Sequence, residues 1–255
     1  MISTFTSDSL RNTFDENKLG DFEALWNLEL PWFEEPNKRR SGWSGVVRHS
    51  LAQSNGEPLN LFIKRQQNHN TPCLRHPIKG EPTFAREYRN IIKLQRLGVP
   101  TIDPVYYGER LHNGDSQSIL ISVALDHHQT VDELFPQVEN PRPLIDAIAS
   151  LASQLHSHRL AHYCFYPNHI FVAQDSPGVF KPRLIDLEKM RFVPLPHRRT
   201  LKDFHTFIRR AAFMGADNLN LLLQSYAEQS GCLRAGDKTY QRLQKHIERL
   251  NYSND

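Results

Sequence analysis

A polar loop and an aspartate at the end of an apolar run are the residues of this sequence best suited to chemistry. The loop extends from His162 to His169, and two short apolar runs follow it. The second of these runs ends at Asp186. A turn-rich segment joins the two runs and predicts a hairpin of buried strands. Phosphoryl transfer needs a loop that handles the nucleophile and a carboxylate that holds a metal ion, and this layout would supply both. An ordinary structural hairpin would show the same layout.

A lysine and a glutamate in the first half of the chain form a second candidate pair. Lys64 lies within the apolar strand predicted for residues 59–66, and Glu87 lies on the helix predicted for residues 81–97. A helix packed on that strand would bring the carboxylate to the ammonium group, which could then meet phosphate oxygens. The alternatives are a surface lysine on an edge strand and a solvent carboxylate beside a neighbouring arginine.

Two glycines near residue 40 provide a third candidate feature. Gly42 and Gly45 are predicted to form a bend whose backbone N–H groups could approach a phosphate. Any β-turn uses glycine in this way. The segment is not a Walker A motif, because no Gly-Lys-Ser/Thr follows it.

The elements that would position these residues predict three parts of an α+β protein. Residues 1–37 are polar and are expected to be a loose or late-docking arm. Residues 38–125 read as a hairpin with an Asn-Gly turn, a helix and a second hairpin. Residues 126–255 hold the loop, the central hairpin and several amphipathic helices. Residues 126–129 break the pattern and predict a hinge.

The composition is that of an ordinary globular chain. Of 255 residues, 39% are hydrophobic and 23% charged, which argues against disorder and coiled coils. The formal net charge of +3 permits an anionic partner without requiring nucleic acid, and we expect none. Cys73, Cys164 and Cys232 are widely spaced, as reduced thiols would be. The first residues lack an apolar signal core. We therefore expect a cytoplasmic protein, with peripheral contact at the inner face of the cytoplasmic membrane as a further hypothesis.

The order of these parts resembles the protein-kinase-like fold. The closer resemblance is to the lipopolysaccharide kinase (Kdo/WaaP) family, in particular its InaA-like members, over about residues 38–205. It implies two lobes, a small antiparallel-sheet lobe with one helix and a mainly helical lobe. The segments that carry it are FIKR (62–65), REYRN (86–90), LHSHRLAHYCFYPNHIFV (155–172) and LIDLEK (184–189).

The resemblance also implies ligands and roles. ATP and Mg²⁺ would be the cofactors, and a sugar hydroxyl of the lipopolysaccharide core or another anionic acceptor would receive the phosphoryl group. Lys64 would contact nucleotide phosphates and pair with Glu87, while Asp186 would hold Mg²⁺. Further nucleotide contacts would come from the glycine-bearing segment and from backbone groups at the hinge: Gly42, Ser44, Gly45 and Leu125.

The loop departs from the pattern of typical protein kinases at two positions. Cys164 stands where kinases have the catalytic aspartate, and His169 stands at the second metal-ligand position, where histidine is usual in the sugar-kinase relatives. A neutral thiol cannot replace a carboxylate as the acceptor of the substrate proton. Three hypotheses follow: a kinase in which His169 or His162 handles the proton, a nucleotide-binding pseudokinase with a scaffold or stress-response role, and a reactive Cys164 thiol.

A short basic segment follows Asp186. It runs from Lys189 to Lys202 and leaves no room for a long activation loop. It suits an anionic or membrane-presented acceptor, and it suits a solvated cationic face equally well.

Overall fold

The structure, a computed structural model, describes residues 2–39, 42–53, 56–73, 76–234 and 236–251. Its internal contacts divide the chain into two units. The N-terminal unit comprises Met1–Ile92 and Ile102–Asp126. The C-terminal unit comprises Lys93–Thr101 and His127–Asp255.

The N-terminal unit is built on an antiparallel sheet with strand order β1-β7-β8-β4-β3-β2. The strands of the unit are β1 (Ile2–Phe5), β2 (Trp32–Arg39), β3 (Gly42–Leu51), β4 (Leu59–Gln67), β5 (Asn70–Thr71), β6 (Glu81–Pro82), β7 (Pro104–His112) and β8 (Asp115–Val123). Its helices are α1 (Asp8–Glu16), α2 (Phe22–Asn27) and α3 (Thr83–Arg96). The pair β5–β6 lies outside the main sheet.

Both predicted hairpins of this unit are confirmed. In the first, β3 pairs with β4 in a register that sets Val46 opposite Lys64. Its predicted turn includes Ser54 and Asn55, which lie outside the described residues. In the second, β7 pairs with β8 up to His112 and Asp115. Because β4 lies between β3 and β8, Lys64 is on an interior strand and not on an edge strand.

The predicted bend at Gly42–Gly45 is wrong, because both glycines lie within β3. Close packing explains them. A Cβ on Gly45 would come within 2.5 Å of the Trp32 ring, and one on Gly42 within 2.1 Å of the Gln67 carbonyl oxygen.

The polar N-terminal segment is a folded part of the sheet unit, in contrast to the predicted arm. Strand β1 pairs with β7 along the sheet edge. Helix α1 begins at the N-cap Ser7, whose hydroxyl accepts from the Leu10 N–H, and it buries Phe14 completely. The sequence concealed this because few apolar residues, at helical spacing, interrupt a polar composition.

The alternation of side chains along β4 determines which residues meet which layer. Leu61 and Ile63 belong to the apolar cluster that includes residues of α1 and α2. Arg65 points to the same side, where its guanidinium donates to the Trp26 carbonyl oxygen in the last turn of α2 at 2.7 Å and to the Leu28 carbonyl oxygen after it at 2.8 Å. Because successive side chains alternate between faces, Lys64 and Gln66 point to the opposite face, where α3 packs.

The C-terminal unit surrounds the buried helix α5 (Arg142–Ser157). The hairpin β11 (Ile170–Ser176) and β12 (Val179–Leu184) forms a three-stranded sheet with β9 (Gln129–Thr130). The remaining elements are α4 (Val131–Leu134), β10 (Leu160–Ala161), β13 (Arg191–Phe192), α6 (Pro196–Ile208), α7 (Gly215–Ser230) and α8 (Lys238–Asn251).

The central hairpin is confirmed, with Ile170 opposite Leu184. Its strands extend further toward the turn than the sequence predicted. The basic segment after Asp186 is not open throughout, because α6 begins at Pro196 and includes its second half. A proline at the first helical position is well suited to start such a helix.

Candidate functional site

The ion pair predicted between Lys64 and Glu87 is present. The Lys64 Nζ lies 2.6 Å from the Glu87 Oε1. The lysine side chain is 22% exposed, whereas that of the glutamate is only 2% exposed. Glu87 lies on the buried face of α3, three residues after Phe84 and four before Ile91, and is therefore not a solvent carboxylate. The pair gives this unit a fixed, partly accessible cation.

A glutamine two residues after the lysine anchors the helix on the same strand. Gln66 is fully buried, and its Oε1 accepts from the Phe84 N–H at 3.1 Å in the first turn of α3. Its Nε2 donates to the His69 carbonyl oxygen at 2.9 Å. Strand β4 therefore contacts α3 at two alternate positions, which fixes where Glu87 meets Lys64.

In the C-terminal unit, Asp186 lies two residues after the end of β12 and has an unusual backbone conformation. Its φ of 56° and ψ of 60° lie in the left-handed region, which non-glycine residues rarely adopt. His169 lies beside it, with Nδ1 3.4 Å from Asp186 Oδ2 and 3.1 Å from the Cys164 carbonyl oxygen. Since a carbonyl oxygen only accepts, Nδ1 carries a proton, and Nε2 holds the lone pair of the neutral ring.

His162 is fully buried, and the hydrogen bonds of its ring join the loop to the segment between β12 and Asp186. Its Nε2 donates to the Ile185 carbonyl oxygen at 2.9 Å, and its Nδ1 accepts from the Cys164 N–H at 3.2 Å. Burial lowers the pKa of His162, although the nearby Asp203 and Asp186 carboxylates oppose that shift. With both nitrogens engaged inside the protein, His162 fits a positioning role better than the predicted proton transfer.

Asp203 on α6 anchors the loop by hydrogen bonds to two of its backbone N–H groups. Its Oδ2 accepts from the His162 N–H and its Oδ1 from the Tyr163 N–H, both at 2.8 Å. His156 Nε2 lies 3.1 Å from the same carboxylate, and its Nδ1 lies 2.7 Å from the Tyr226 hydroxyl oxygen. Tyr163 has a φ of 66°, so this network holds a residue in a conformation that costs energy.

The loop cysteine is paired with a lysine that lies after Asp186. Cys164 is 2% exposed, and the Lys189 ammonium is close enough to its sulfur to influence the pKa of the thiol. Burial raises the pKa of the Cys164 thiol, and Asp186 adds to the rise while Lys189 opposes it. Burial would lower the pKa of Lys189, but Cys164, Glu188 and Asp186 outweigh it and raise that pKa. A buried neutral thiol argues against the reactive-cysteine hypothesis.

The remaining predicted nucleotide contacts all lie in the N-terminal unit. Gly42, Ser44 and Gly45 are positions of β3, and Ser44 pairs in register with Gln66. Leu125 follows β8 and is half-buried. Beside it, the Asp126 carboxylate accepts from Arg48 at 2.6 Å and from Asn60 at 2.5 Å.

Sequence reasoning missed Gln66, Asp203 and Lys189. Gln66 follows the Lys64 position by two, so strand alternation could have placed it toward the same helix. Lys189 was treated only as part of a basic run. Asp203 carried no local signal, because its partners are residues 156, 162 and 163.

The residues present fit a hard cation held mainly by phosphate. Asp186 offers a carboxylate that is 31% exposed, and Mg²⁺ is commonly held by one or two carboxylates together with substrate phosphates and water. The His169 ring lies beside this carboxylate, with Nδ1 3.4 Å from Oδ2, while the Nδ1 N–H donates to the Cys164 carbonyl oxygen. Among the described residues, no cluster of three or more His, Cys, Asp or Glu side chains could enclose a metal ion without such a ligand.

The antiparallel sheet with helix α3 packed on one face, followed by a mainly helical unit, defines a two-lobed protein-kinase-like α+β fold. A solved structure described as WaaP in complex with acyl carrier protein matches the chain with a TM-score of 0.67 at 20% sequence identity. The match covers 98% of this chain and 99% of that one. The chain belongs to the lipopolysaccharide kinase (Kdo/WaaP) family, whose model matches residues 23–226.

One similar relative is the protein InaA of Escherichia coli (strain K12). It is 30% identical over 182 residues, which cover 68% of this chain and 80% of InaA. The predicted InaA-like membership is thereby confirmed, and the family match extends beyond the 38–205 range of the sequence resemblance. None of the helices in the described ranges is both long and apolar enough to cross a membrane.

Proposed function

We propose that this protein transfers a phosphoryl group from ATP to a sugar hydroxyl of a lipopolysaccharide-core glycolipid. The observation that carries the proposal is the ion pair of 2.6 Å between Lys64 and the buried Glu87. A lysine held in this way is positioned to contact nucleotide phosphates. Burying the charge of its partner has a desolvation cost, which a purely structural role would not explain. Membership of a kinase family supports the same conclusion.

Within this proposal each candidate residue has a separate role. Lys64 contacts phosphate oxygens, and Glu87 holds the lysine in position. Gly42, Ser44 and Gly45 lie toward the phosphates, and the backbone at Leu125 bonds the adenine. Asp186 would hold Mg²⁺, which neutralises phosphate charge when it is bound, and His169 lies beside that carboxylate and keeps it in position.

In this mechanism, His169 accepts the proton of the acceptor hydroxyl. When the ring is neutral, its lone pair is on Nε2, because the Nδ1 N–H donates to the Cys164 carbonyl oxygen. Lys189 interacts electrostatically with Cys164 and Asp186, so its positive charge can stabilise a transferred phosphoryl group. Positioning and electrostatics supply most of the catalysis in phosphoryl transfer, so a loop without a carboxylate at residue 164 can still operate.

The alternative is a nucleotide-binding pseudokinase with a scaffold or stress-response role. The observation that favours it is the buried, neutral Cys164 thiol at the position of the expected carboxylate. In that case Lys64 and Glu87 would serve binding alone.

Thermal shift with ATP, with and without Mg²⁺, and ATP turnover with a core-sugar acceptor decide between the two. We expect nucleotide to stabilise the wild type and Asp186→Asn to reduce turnover by about a hundredfold or more. Lys189→Met should reduce turnover while leaving ATP binding nearly intact. Cys164→Ser, the matched control, should retain turnover.

Binding without turnover would contradict the kinase proposal and support the pseudokinase. Gain of turnover in Cys164→Asp, in a variant whose circular dichroism matches the wild type, would show that the missing carboxylate was the limiting group. Absence of any nucleotide binding would contradict both functions.

We further propose that the protein acts in the cytoplasm, peripherally at the inner face of the cytoplasmic membrane, where a glycolipid acceptor would be presented. The proposed partners are ATP and the phosphate-bearing acceptor, without nucleic acid.

A further inference from the structure

A groove between α6 and α8 collects positive charge away from the residues discussed so far. We call it the α6–α8 groove, and it has a volume of about 610 Å³. Its cations are Arg198 and Lys202 from α6 and Arg242, Lys245 and Arg249 from α8. No Asp or Glu is among the described residues that line it. All of these cationic side chains are exposed.

Helical spacing explains why these charges face one another. Leu195, Arg198, Lys202 and His205 recur at intervals of three and four along α6 and its N-cap, which places them on one side. Arg242, Lys245 and Arg249 recur in the same way on α8. Leu243 and Ile247 of α8 are buried, and Leu243 also lines the groove. The two helices therefore present one continuous cationic surface.

Two histidines stack within the groove. The rings of His205 and His246 have centroids 4.1 Å apart and planes inclined by 16°. Burial lowers the pKa of both, and the surrounding cations, Arg209 among them, lower it further. The buried His246 Nε2 has no hydrogen-bond partner in the described part of the chain. The groove thus contains five cations, whose charge an external anion would balance, and two histidines that can accept protons.

Exposed apolar side chains accompany these cations on the same part of the chain. Phe192 is 57% exposed and Leu195 is 42% exposed, and they immediately precede α6. Leu195 shares the helical stripe of Arg198 and Lys202. Cations combined with exposed Phe and Leu are the composition of surfaces that bind the interface of an anionic membrane. A soluble phosphate would use the cations but would leave the apolar side chains in water.

We propose that the α6–α8 groove docks this protein on an anionic phospholipid surface. Its cations contact lipid phosphates, while Phe192 and Leu195 enter the headgroup region. The groove connects with the candidate loop, because the Lys202 ammonium lies 5.3 Å from the centroid of the Tyr163 ring, next to Cys164. The purpose of the docking, to bring the loop to a membrane-borne acceptor, rests on the proposed function.

Vesicle co-sedimentation of the full chain, without nucleotide or acceptor, tests the docking by itself. We compare phosphatidylcholine vesicles with vesicles that also contain phosphatidylglycerol. The wild type should bind the mixed vesicles preferentially. Arg242→Gln/Lys245→Gln/Arg249→Gln should lower that binding by about a hundredfold, because each cation near an anionic membrane adds roughly a factor of five.

The matched control removes three exposed cations from elsewhere, in Lys79→Gln/Lys93→Gln/Arg96→Gln, and should bind like the wild type. Arg242→Lys/Arg249→Lys keeps the charge and should also bind. Its binding would show that the triple Gln variant fails because it lacks charge and not because these positions are needed for folding. Phe192→Ser/Leu195→Ser should weaken binding to the mixed vesicles.

Equal binding to both vesicle types, or equal losses in the groove variant and its control, would overturn the proposal. Stabilisation by inorganic tripolyphosphate that depends on the groove, without preference for phosphatidylglycerol, would also overturn it and identify a soluble phosphate ligand. Because ATP takes no part, failure here leaves the nucleotide thermal shift, and with it the proposed function, unaffected.

Discussion

At the scale of single residues, the Lys64–Glu87 pair is unequal in a way that affects stability. The ammonium group is partly accessible and can turn toward water, whereas the carboxylate is almost fully enclosed by α3 and the sheet. Loss of the lysine therefore leaves a buried charge without its main counter-ion. Loss of the glutamate charge leaves a cation that solvent can reach. Removing one partner of a buried ion pair costs about 3–5 kcal/mol of stability. The cost is larger when the remaining partner is the enclosed one, which here is Glu87.

We predict that Lys64→Met lowers the free energy of unfolding by about 3 kcal/mol, and that Glu87→Gln lowers it by less. Lys64→Met/Glu87→Leu should recover most of the stability but none of the ATP-induced thermal shift. Chemical denaturation measures the first effect and thermal shift the second. Lys93→Met, at an exposed position of α3, is the control. Nucleotide binding by the double variant would show that the pair is structural.

The carboxylate of Asp203 offers a second prediction at this scale. It is fully buried and accepts from two loop N–H groups, so Asp203→Ala should cost about 3 kcal/mol or more. Hydrogen exchange at residues 162 and 163 should accelerate, because those two donors lose their acceptor. The exposed Asp217→Ala serves as the control and should change stability by a few tenths of a kcal/mol, at about the scale of a helix-end charge. Unchanged exchange at the loop would contradict the anchoring role.

At the scale of elements, the N-terminal segment stabilises the sheet unit. Phe5 contacts Phe14 and Tyr106 with ring centroids 5.2 and 4.8 Å apart, so β1, α1 and β7 share one aromatic cluster. The Ser3 hydroxyl also donates to the Tyr106 hydroxyl oxygen at 3.0 Å. An element with these contacts belongs to the core of the sheet unit.

We predict that Phe14→Ala lowers the free energy of unfolding by about 3–5 kcal/mol, as truncation of a buried aromatic side chain does. Phe33→Ala, at a 58% exposed position, should cost much less. Denaturant titration of the two variants gives the comparison. A Phe14→Ala variant as stable as the wild type would restore the loose-arm interpretation.

The elements predicted well are those with strong local patterns. Helix α3 and the hairpins β3–β4, β7–β8 and β11–β12 have clear periodicity and turn residues, and the structure confirms each. Helix α1 was missed because its apolar face is narrow. The β3 glycines were misread because glycine marks both bends and close packing, and the Trp32 ring that explains Gly45 lies in another strand.

The candidate site shows the same division. Lys64 and Glu87 were predictable because a strand and a helix of recognisable type hold them. The loop network was not, since Asp203 lies about 40 residues beyond the donors that it binds. Local sequence patterns therefore predicted the residues that would react or bind. The residues that orient them became identifiable only from the tertiary packing.

At the scale of the whole molecule, charge is distributed unevenly. The chain has 31 basic and 28 acidic residues, so its net charge is small. Five of the basic residues nevertheless line the α6–α8 groove. Attraction to an anionic surface would thus come from one face, and salt would screen it over about 10 Å at moderate ionic strength.

The histidines of the groove give this docking a pH dependence. The cations facing His205 are Lys202 and Arg209, and those facing His246 are Arg209 and Arg249. Their lowered pKa keeps both rings neutral in the free protein at neutral pH, whereas an anionic surface would raise that pKa and favour proton uptake. We predict stronger binding to phosphatidylglycerol vesicles as pH falls below about 6.5.

Co-sedimentation across that pH range measures the effect, and His205→Gln/His246→Gln should remove it. In the unbound protein, acidification lowers the stability of the fold, although it strengthens membrane binding. A histidine whose pKa is lowered by folding contributes stability above its unfolded pKa and loses it on acidification, so the free protein should become less stable over the same range. Binding that weakens on acidification would contradict the assignment.

All three tryptophans of the chain lie between residues 26 and 43. The Trp43 ring is 5.7 Å from both Trp26 and Trp32, so the three indoles form one group in the N-terminal unit. Intrinsic fluorescence excited in the indole band consequently reports on that unit alone, beside the strand that begins at Gly42. Circular dichroism is dominated by the helices of the other unit. A protein with this arrangement carries a built-in spectroscopic label that distinguishes melting of its sheet unit from melting of its helical unit without any introduced dye.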